Sequence, residues 1–305
     1  MSFNIIKIVL LVLISILLPV LGYFYTSENG FNLVKKAAIF SDRKLVMGVF
    51  PRRNSVKTIR MFNPIAKHLS EKIGMNVELE TVKNFSTFWN NVKLKKYDIV
   101  HYNQLHYTLS NKSQGYSIIL KNNEFGSSYL KPVIAVRDDS DIKTISDLKN
   151  KTVHFGGGRL AMISHIANRV AIREQGVDDD EYKWGYAKNP PTAAHSVFNL
   201  SVDAAGLGDV VLRFSEIRHS LENHKFVTIY KGPDIPHLPW AVSDKVDDKL
   251  SIKIQSALMA LNDSEKGAKI LKGAALTGFV IASDKEYDVV REIYQKYKKY
   301  NQANQ

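Results

Sequence analysis

Asp147-Leu-Lys-Asn-Lys-Thr-Val-His-Phe-Gly-Gly-Gly-Arg-Leu-Ala-Met-Ile-Ser-His-Ile-Ala-Asn-Arg-Val170 carries a β-type run, three consecutive glycines and the start of a helical pattern. The run Thr152 to Phe155 enters Gly156, Gly157 and Gly158, and the helical periodicity begins near Leu160. Glycine has no Cβ, so the backbone there can approach a ligand closely. The first amides of the helix that follows have no internal partner and carry the positive end of its dipole. A strand–glycine–helix junction of this kind is a natural cradle for an anion. Arg159 adds a planar two-pronged donor suited to phosphate, phosphonate or carboxylate. The same residues also suit a plain tight βα turn with a solvated arginine, and on this stretch alone both readings stand.

Outward from this junction the chain alternates strands and helices. Leu45 to Phe50 reads as a buried strand ended by Pro51. Asn63 to Ile73 predicts a helix capped by Asn63, with Pro64 at its first position and Gly74 as its stop. A strand over 76–82, a helix over 85–94 and a strand over 97–101 follow. The order β-α-β-α-β implies a parallel sheet covered on both faces. Pro132 to Val136 and Thr152 to Phe155 flank a short helix, Ile145 to Asn150, and begin a second α/β lobe. From about Asp247 the pattern is helical to the end, over 252–261, 265–271 and 284–300.

The 305 residues are 45% hydrophobic and 24% charged, which fits one two-lobed globular domain or two small ones. The formal charge of +12 admits nucleic acid, a membrane surface or an anionic ligand as partner. The lysines are scattered, with Tyr294, Tyr297 and Tyr300 interleaved among Lys296, Lys298 and Lys299, and no nucleic-acid motif accompanies them. Nucleic acid is therefore not expected as a partner. Cysteine is absent, which removes disulfides, thiolate metal sites, thiol nucleophiles and the acceptor for bacterial lipoprotein processing. The apolar run Ile8 to Tyr25, preceded by Lys7, reads as a secretory signal or an uncleaved membrane anchor spanning 1–25, with a polar linker over 26–43. Either reading places the folded part, from Lys44, in the periplasm or otherwise outside the cytoplasm.

Catalytic look-alikes do not survive inspection. His154-Phe-Gly-Gly-Gly158 looks like an esterase oxyanion loop, but no G-x-S-x-G elbow occurs in the chain. Gly206-Leu-Gly208 lacks the third glycine of a dinucleotide fingerprint. The pairs His101/His106 and His219/His224 lack metal-ligand spacing with nearby carboxylates. No cofactor, no metal and no enzymatic activity are expected.

Several pieces in fixed order then resemble one family. They are Phe62-Asn-Pro-Ile-Ala-Lys-His-Leu-Ser70 with Ile73-Gly-Met-Asn-Val77, Tyr97-Asp-Ile-Val100, and Asp147-Leu-Lys-Asn-Lys-Thr-Val-His-Phe155. After them come His195, Val202-Asp-Ala-Ala-Gly206, Ile235-Pro-His-Leu-Pro239 and Gly273-Ala-Ala-Leu-Thr-Gly-Phe279. From about Lys44 to Tyr297 the chain resembles a phosphonate/phosphite-type periplasmic solute-binding protein of ABC transporters. The resemblance implies an α/β chain with a type II periplasmic-binding-protein fold, two α/β lobes joined by two hinge strands with the ligand cleft between them. One lobe combines 44–131 with 241–305 and the other covers 132–240. The ligand then sits at the carboxyl ends of the strands.

The resemblance also implies site residues. Tyr102, after the strand ending at His101, takes the place of a ligand-facing aromatic, or else packs over the sheet. Ser127, Ser128 and Tyr129 precede the first crossing strand, where the family uses hydroxyl and aromatic contacts. His195 falls on the family's binding histidine and would suit an anion. Asp203 matches a strongly patterned position whose carboxylate either fixes the hinge or binds a ligand amine. Arg52 and Arg53 follow the first strand and either reach the cleft or form a solvated turn. The departure is at the glycines: where the family usually places serines and threonines this chain has Gly157, Gly158 and Arg159, with the next hydroxyl only at Ser164. Backbone amides remain for an anion, and a hydroxyl-rich cage does not. The expected function is capture of a small anionic ligand, such as a phosphonate or phosphate ester, for an ABC permease. The alternative is a membrane-anchored sensory module with a signalling partner. A pyrimidine synthase-like enzyme on the same fold is set aside, because that family needs a cysteine-rich motif.

Overall fold

A computed structural model describes residues 44–218 and 224–302; the signal or anchor expected over 1–25, the linker over 26–43 and His219 lie outside the described residues. Among the described residues no helix is long and apolar enough to cross a membrane.

Parallel strands β1 (Leu45–Val49), β2 (Val77–Glu80) and β3 (Ile99–His101) form the start of the first lobe, with β1 in the middle. The helices between them, α1 (Ser55–Ile73) and α2 (Phe85–Lys93), make the two crossovers, and α3 (Gln104–Gln114) follows β3. Helix α1 starts eight residues before the expected Asn63. Asn54 supplies its cap by accepting from Lys57 N at 2.8 Å, and Pro64 lies inside the helix. The proline removes one rung, to the Arg60 carbonyl. Burial of Met61, Phe62, Ile65 and Leu69 on the sheet, each about 1.5–3 kcal/mol, outweighs that loss. The stop is as expected, with Gly74 left-handed at φ 72° and its amide on the Ser70 carbonyl.

The chain then leaves the parallel pattern. β4 (Ser117–Asn123) pairs antiparallel with two strands that arrive much later, β12 (Pro239–Val242) and β13 (Gly278–Ile281), giving the order β13-β4-β12-β3-β1-β2. The first crossing strand, β5 (Tyr129–Leu130), pairs antiparallel with β11 (Ile235–Pro236) to make the hinge. The second lobe carries β6 (Pro132–Arg137), β7 (Thr152–Gly156), β8 (Lys183–Ala187), β9 (Ala204–Gly208) and β10 (Phe226–Lys231) in the order β10-β6-β9-β7-β8. Strand β7 is parallel to both neighbours, so its carboxyl end, the glycine run, opens beside those of β8 and β9. A π-helical turn over Met162–Ala167 runs directly into α4 (Asn168–Glu174); α5 (Pro190–Phe198) and the single turn α6 (Ser215–Arg218) complete this lobe.

The C-terminal stretch is not helical throughout, contrary to expectation. Helices α7 (Asp248–Met259) and α8 (Glu265–Gly273) are followed by edge strand β13 before α9 (Asp288–Gln302). Asn262 takes the place of a missing neighbour strand there, donating to the Phe279 carbonyl and accepting from the Phe279 amide, each at 2.9 Å. A short alternating stretch beside Gly278 is thereby held as strand inside helical surroundings. Helix α9 reaches the second lobe, where Tyr297 meets His165 edge-on with centroids 5.6 Å apart and Lys296 pairs with Glu174.

Candidate functional site

The carboxyl ends of β1, β3, β7 and β9 converge on a cavity of about 60 Å³ between the lobes. The first lobe contributes Phe50 and Arg52 just past β1, Phe85 at the start of α2, and Asn103 and Gln104 just past β3. The hinge contributes Leu130 and Leu238, and the second lobe contributes Gly156, Gly157, Pro190 and Gly208 with the residues Ala161 to Ser164. Most of this lining is apolar, so a ligand here is stripped of water and every polar contact matters more than at a surface.

The sequence dictates this convergence in simple ways. Gly157 adopts φ 101°, a region that side chains disfavour, and turns the chain at the end of β7. A Cβ on Gly156 would sit 2.3 Å from Pro190 Cα, so glycine there lets α5 approach the strand. Ala161 precedes the π-turn with no side-chain cap, and Met162, Ile163 and Ser164, which carry the turn's first amides, line the cavity. The hydroxyl of Ser164 donates to the Gly156 carbonyl and is thereby committed to the loop.

Arg52 brings the cationic group. Its Nη1 lies 3.1 Å from Glu124 Oε2, and that oxygen lies 3.1 Å from His237 Nε2. Burial would raise the Glu124 carboxyl, but Arg52 and His237 outweigh it and hold the group at about 2. Burial keeps His237 below its usual range, and its Nδ1 accepts from the Leu238 amide at 2.8 Å, so the neutral ring carries its proton on Nε2, toward Glu124. Glu124 follows β4 and His237 precedes β12, so this triad links the first strand of one lobe to both hinge connections. Arg52 keeps further donors beyond Nη1. Asp209 makes a related tie, with Oδ1 accepting from the amides of Lys131 and Val210, each at 3.0 Å.

Of the residues expected at the site, Gly156 and Gly157 line the cavity and Gly158 continues the same loop. The others lie elsewhere. Tyr102 is fully buried in the first lobe, its hydroxyl 2.9 Å from Ser110 Oγ and its ring against Tyr107 and Tyr116. Its strand-end position alternates inward, and Phe50 and Phe85 supply the cavity aromatics instead. Ser127 and Tyr129 bond to each other in a turn on the outer side of the hinge, where Lys121 lies over the Tyr129 ring, and the Ser128 carbonyl accepts from His237 N. Arg159 is exposed and lines a separate groove with Trp184, Tyr186 and Tyr297. His195 is half-buried on α5, outside the cavity lining. Asp203 sits at the opposite end of β9, accepting from Thr152 N at 2.7 Å; Asp209, six residues on, holds the end nearer the cavity. Phe50, Gln104, Ile163, Val210 and Val211 were not expected in the lining. Their one sequence signal is a position just beyond a strand or helix boundary.

His224 does meet carboxylates, those of Asp138 and Asp139, which the spacing did not suggest. Its Nδ1 lies 3.0 Å from Asp138, while Arg137 pairs with Asp139.

Residues 47–287 match the profile of a family described as "ABC transporter, phosphonate, periplasmic substrate-binding protein". Among solved structures, a binding-protein component of an ABC phosphonate transporter from Pseudomonas aeruginosa superposes with a TM-score of 0.73 at 16% identity, covering 86% of this chain and 89% of that one. A methylphosphonate complex from Prochlorococcus marinus gives 0.73 at 19% identity, covering 84% and 98%. A Xanthomonas citri protein bound to ATP gives 0.70 at 15% identity, covering 85% and 98%. These likenesses establish the type II binding-protein fold.

Proposed function

The chain belongs to the phosphonate-binding family of periplasmic substrate-binding proteins of ABC transporters, and on that premise we propose that it captures a small oxyanion between its lobes for a membrane importer. Membership in a family of periplasmic binding proteins supports an extracytoplasmic folded part and a binding role. The observation that carries the ligand reading is the uncapped helix start from Met162 to Ser164 on the cavity wall. Those amides, with the spare donors of Arg52, suit the oxygens of a tetrahedral anion. The hydroxyl of Ser164 is committed to Gly156, so backbone amides take the role that hydroxyls play in a serine-rich cage. A cavity of about 60 Å³ suits a molecule nearer methylphosphonate than ATP, the ligands of two relatives. The apolar walls from Phe50, Phe85 and Val210 favour an anion with a small substituent over a fully hydrated one.

The test is a melting screen of the purified protein with methylphosphonate, phosphite, phosphate, methanesulfonate and acetate. A ligand at 100 times its Kd adds about 2.7 kcal/mol, which for a domain of this size is a rise of about 5–10 °C in Tm. Binding of a tetrahedral oxyanion is the expected result. Stabilisation by acetate alone, or by none of the five at millimolar concentration, overturns the reading.

A further inference from the structure

The cavity lining is mostly apolar, yet one of its side chains carries a buried acceptor with nothing to accept. Gln104 opens helix α3, lines the cavity and is fully buried. Its Nε2 donates to the Pro236 carbonyl on hinge strand β11 at 3.0 Å. A carbonyl only accepts, so this contact settles which end of the amide is nitrogen. Oε1 is left buried with no hydrogen-bond partner among the described residues. A buried acceptor without a donor is costly, and such groups in a native protein call for an explanation. The amide cannot turn to relieve it, because the bond to Pro236 ties the side chain to the hinge.

We propose that Gln104 is a specificity residue whose Oε1 accepts a hydrogen bond from an O–H or N–H on the ligand's substituent. The inference rests on the oxyanion reading above and narrows it. In this arrangement the amides near Met162 and the guanidinium of Arg52 take the anionic oxygens. Gln104 lines the cavity from the first lobe, and its Oε1, sealed from solvent, meets the substituent as the wall yields to the ligand. The ligand class is then an oxyanion carrying a hydroxyl or amino group close to its charged head. An anion with a bare methyl group would leave Oε1 unsatisfied on closure, as a site built to bond an O–H disfavours the analogue that lacks it.

Calorimetry with methylphosphonate, hydroxymethylphosphonate and aminomethylphosphonate tests this, and the ratio of affinities is the readout. The natural protein is expected to prefer at least one donor-bearing phosphonate over methylphosphonate by about tenfold. In Gln104→Leu the ratio is expected to fall to within about twofold; Gln104→Met serves if the leucine variant does not fold, with melting curves as the check. A preference that survives in the variant, or methylphosphonate bound as tightly as both others by the natural protein, overturns the role of Gln104 and leaves the oxyanion reading standing. Failure of all three, with the other oxyanions of the melting screen, to bind the natural protein overturns both.

Discussion

Asn103 of the first lobe donates from Nδ2 to the carbonyl of Leu160 in the second, across 3.1 Å. The same side chain accepts at Oδ1 from the His106 amide and so caps helix α3. One residue therefore holds the helix start that presents Gln104 and fastens the lobes over the cavity. Nearby, Arg53 and Lys57 reach Glu216 of the second lobe, at 3.0 and 3.1 Å, so charged pairs close the outer rim.

The two roles of Asn103 can be separated. In Asn103→Asp the carboxylate still caps His106 N, but an acceptor then faces the Leu160 carbonyl. Melting of the ligand-free protein is expected to change little, while affinity for the oxyanion found in the melting screen falls about three- to tenfold. Asn103→Ala removes both bonds and is expected to cost about 1 kcal/mol of stability through the cap as well. Equal affinity for the natural and aspartate proteins in calorimetry would show that the bond to Leu160 does not support closure.

Acid sensitivity follows from buried histidines. Burial holds His101, His106 and His165 at about 3, against 6.5 for an exposed ring. Below pH 6.5 the unfolded rings take up protons that the folded ones refuse until about pH 3. The unfolded state then binds more protons, so stability falls as pH falls through that window, by about 1.4 kcal/mol per pH unit for each ring. Among the described residues His106 has no hydrogen-bond partner for either ring nitrogen, and it stacks on Trp89 at 4.9 Å. His106→Phe is expected to flatten the decline in Tm between pH 7 and pH 5. An unchanged slope would remove His106 from this account.

The sequence made the strands and stops of the first lobe legible because they are local. Gly74 ends α1 through its own left-handed φ, and Val77 to Glu80 alternates as a strand must. Strand β13 escaped because its stability is not local: β4 and the side chain of Asn262 hold it. The glycine run was readable for the same reason as Gly74. Tyr102 and Arg159 each had two readings in the sequence, because a residue's position along a strand end does not fix which way it faces. Tyr102 turned into a cluster of tyrosines and Arg159 turned outward, and in each case the deciding neighbours come from elsewhere in the fold.

Arg159 gives a direct test of that correction. Arg159 lies in the groove of Trp184 and Tyr297, outside the cavity lining, so under the proposed oxyanion reading Arg52 is the arginine that assists the ligand. Arg159→Ala is expected to leave oxyanion affinity within about twofold and stability within about 0.5 kcal/mol, as for other exposed substitutions. A loss of one decade or more in calorimetry would return Arg159 to the site.

The three glycines of the loop are expected to respond differently, because each has a different reason to be glycine. Gly157 has φ 101°, and a Cβ there would meet Ala161 Cβ at 3.1 Å. Gly157→Ala therefore strains the backbone itself, by about 1–3 kcal/mol, and the ligand-free protein is expected to melt about 2–10 °C lower. Gly156→Ala would drive a methyl group to 2.3 Å from the Pro190 backbone, which must shift with α5, so its loss is expected to be larger still. Gly158 meets nothing within 4 Å of an added Cβ, and its alanine variant is expected to melt with the parent. A loop kept only for ligand approach gives a contrasting pattern, in which all three variants melt normally and lose only the stabilisation by ligand. Paired melting curves with and without the oxyanion separate these outcomes. Normal ligand-free melting of Gly157→Ala, joined to loss of the ligand's effect, would show that approach to the ligand rather than backbone strain governs that position.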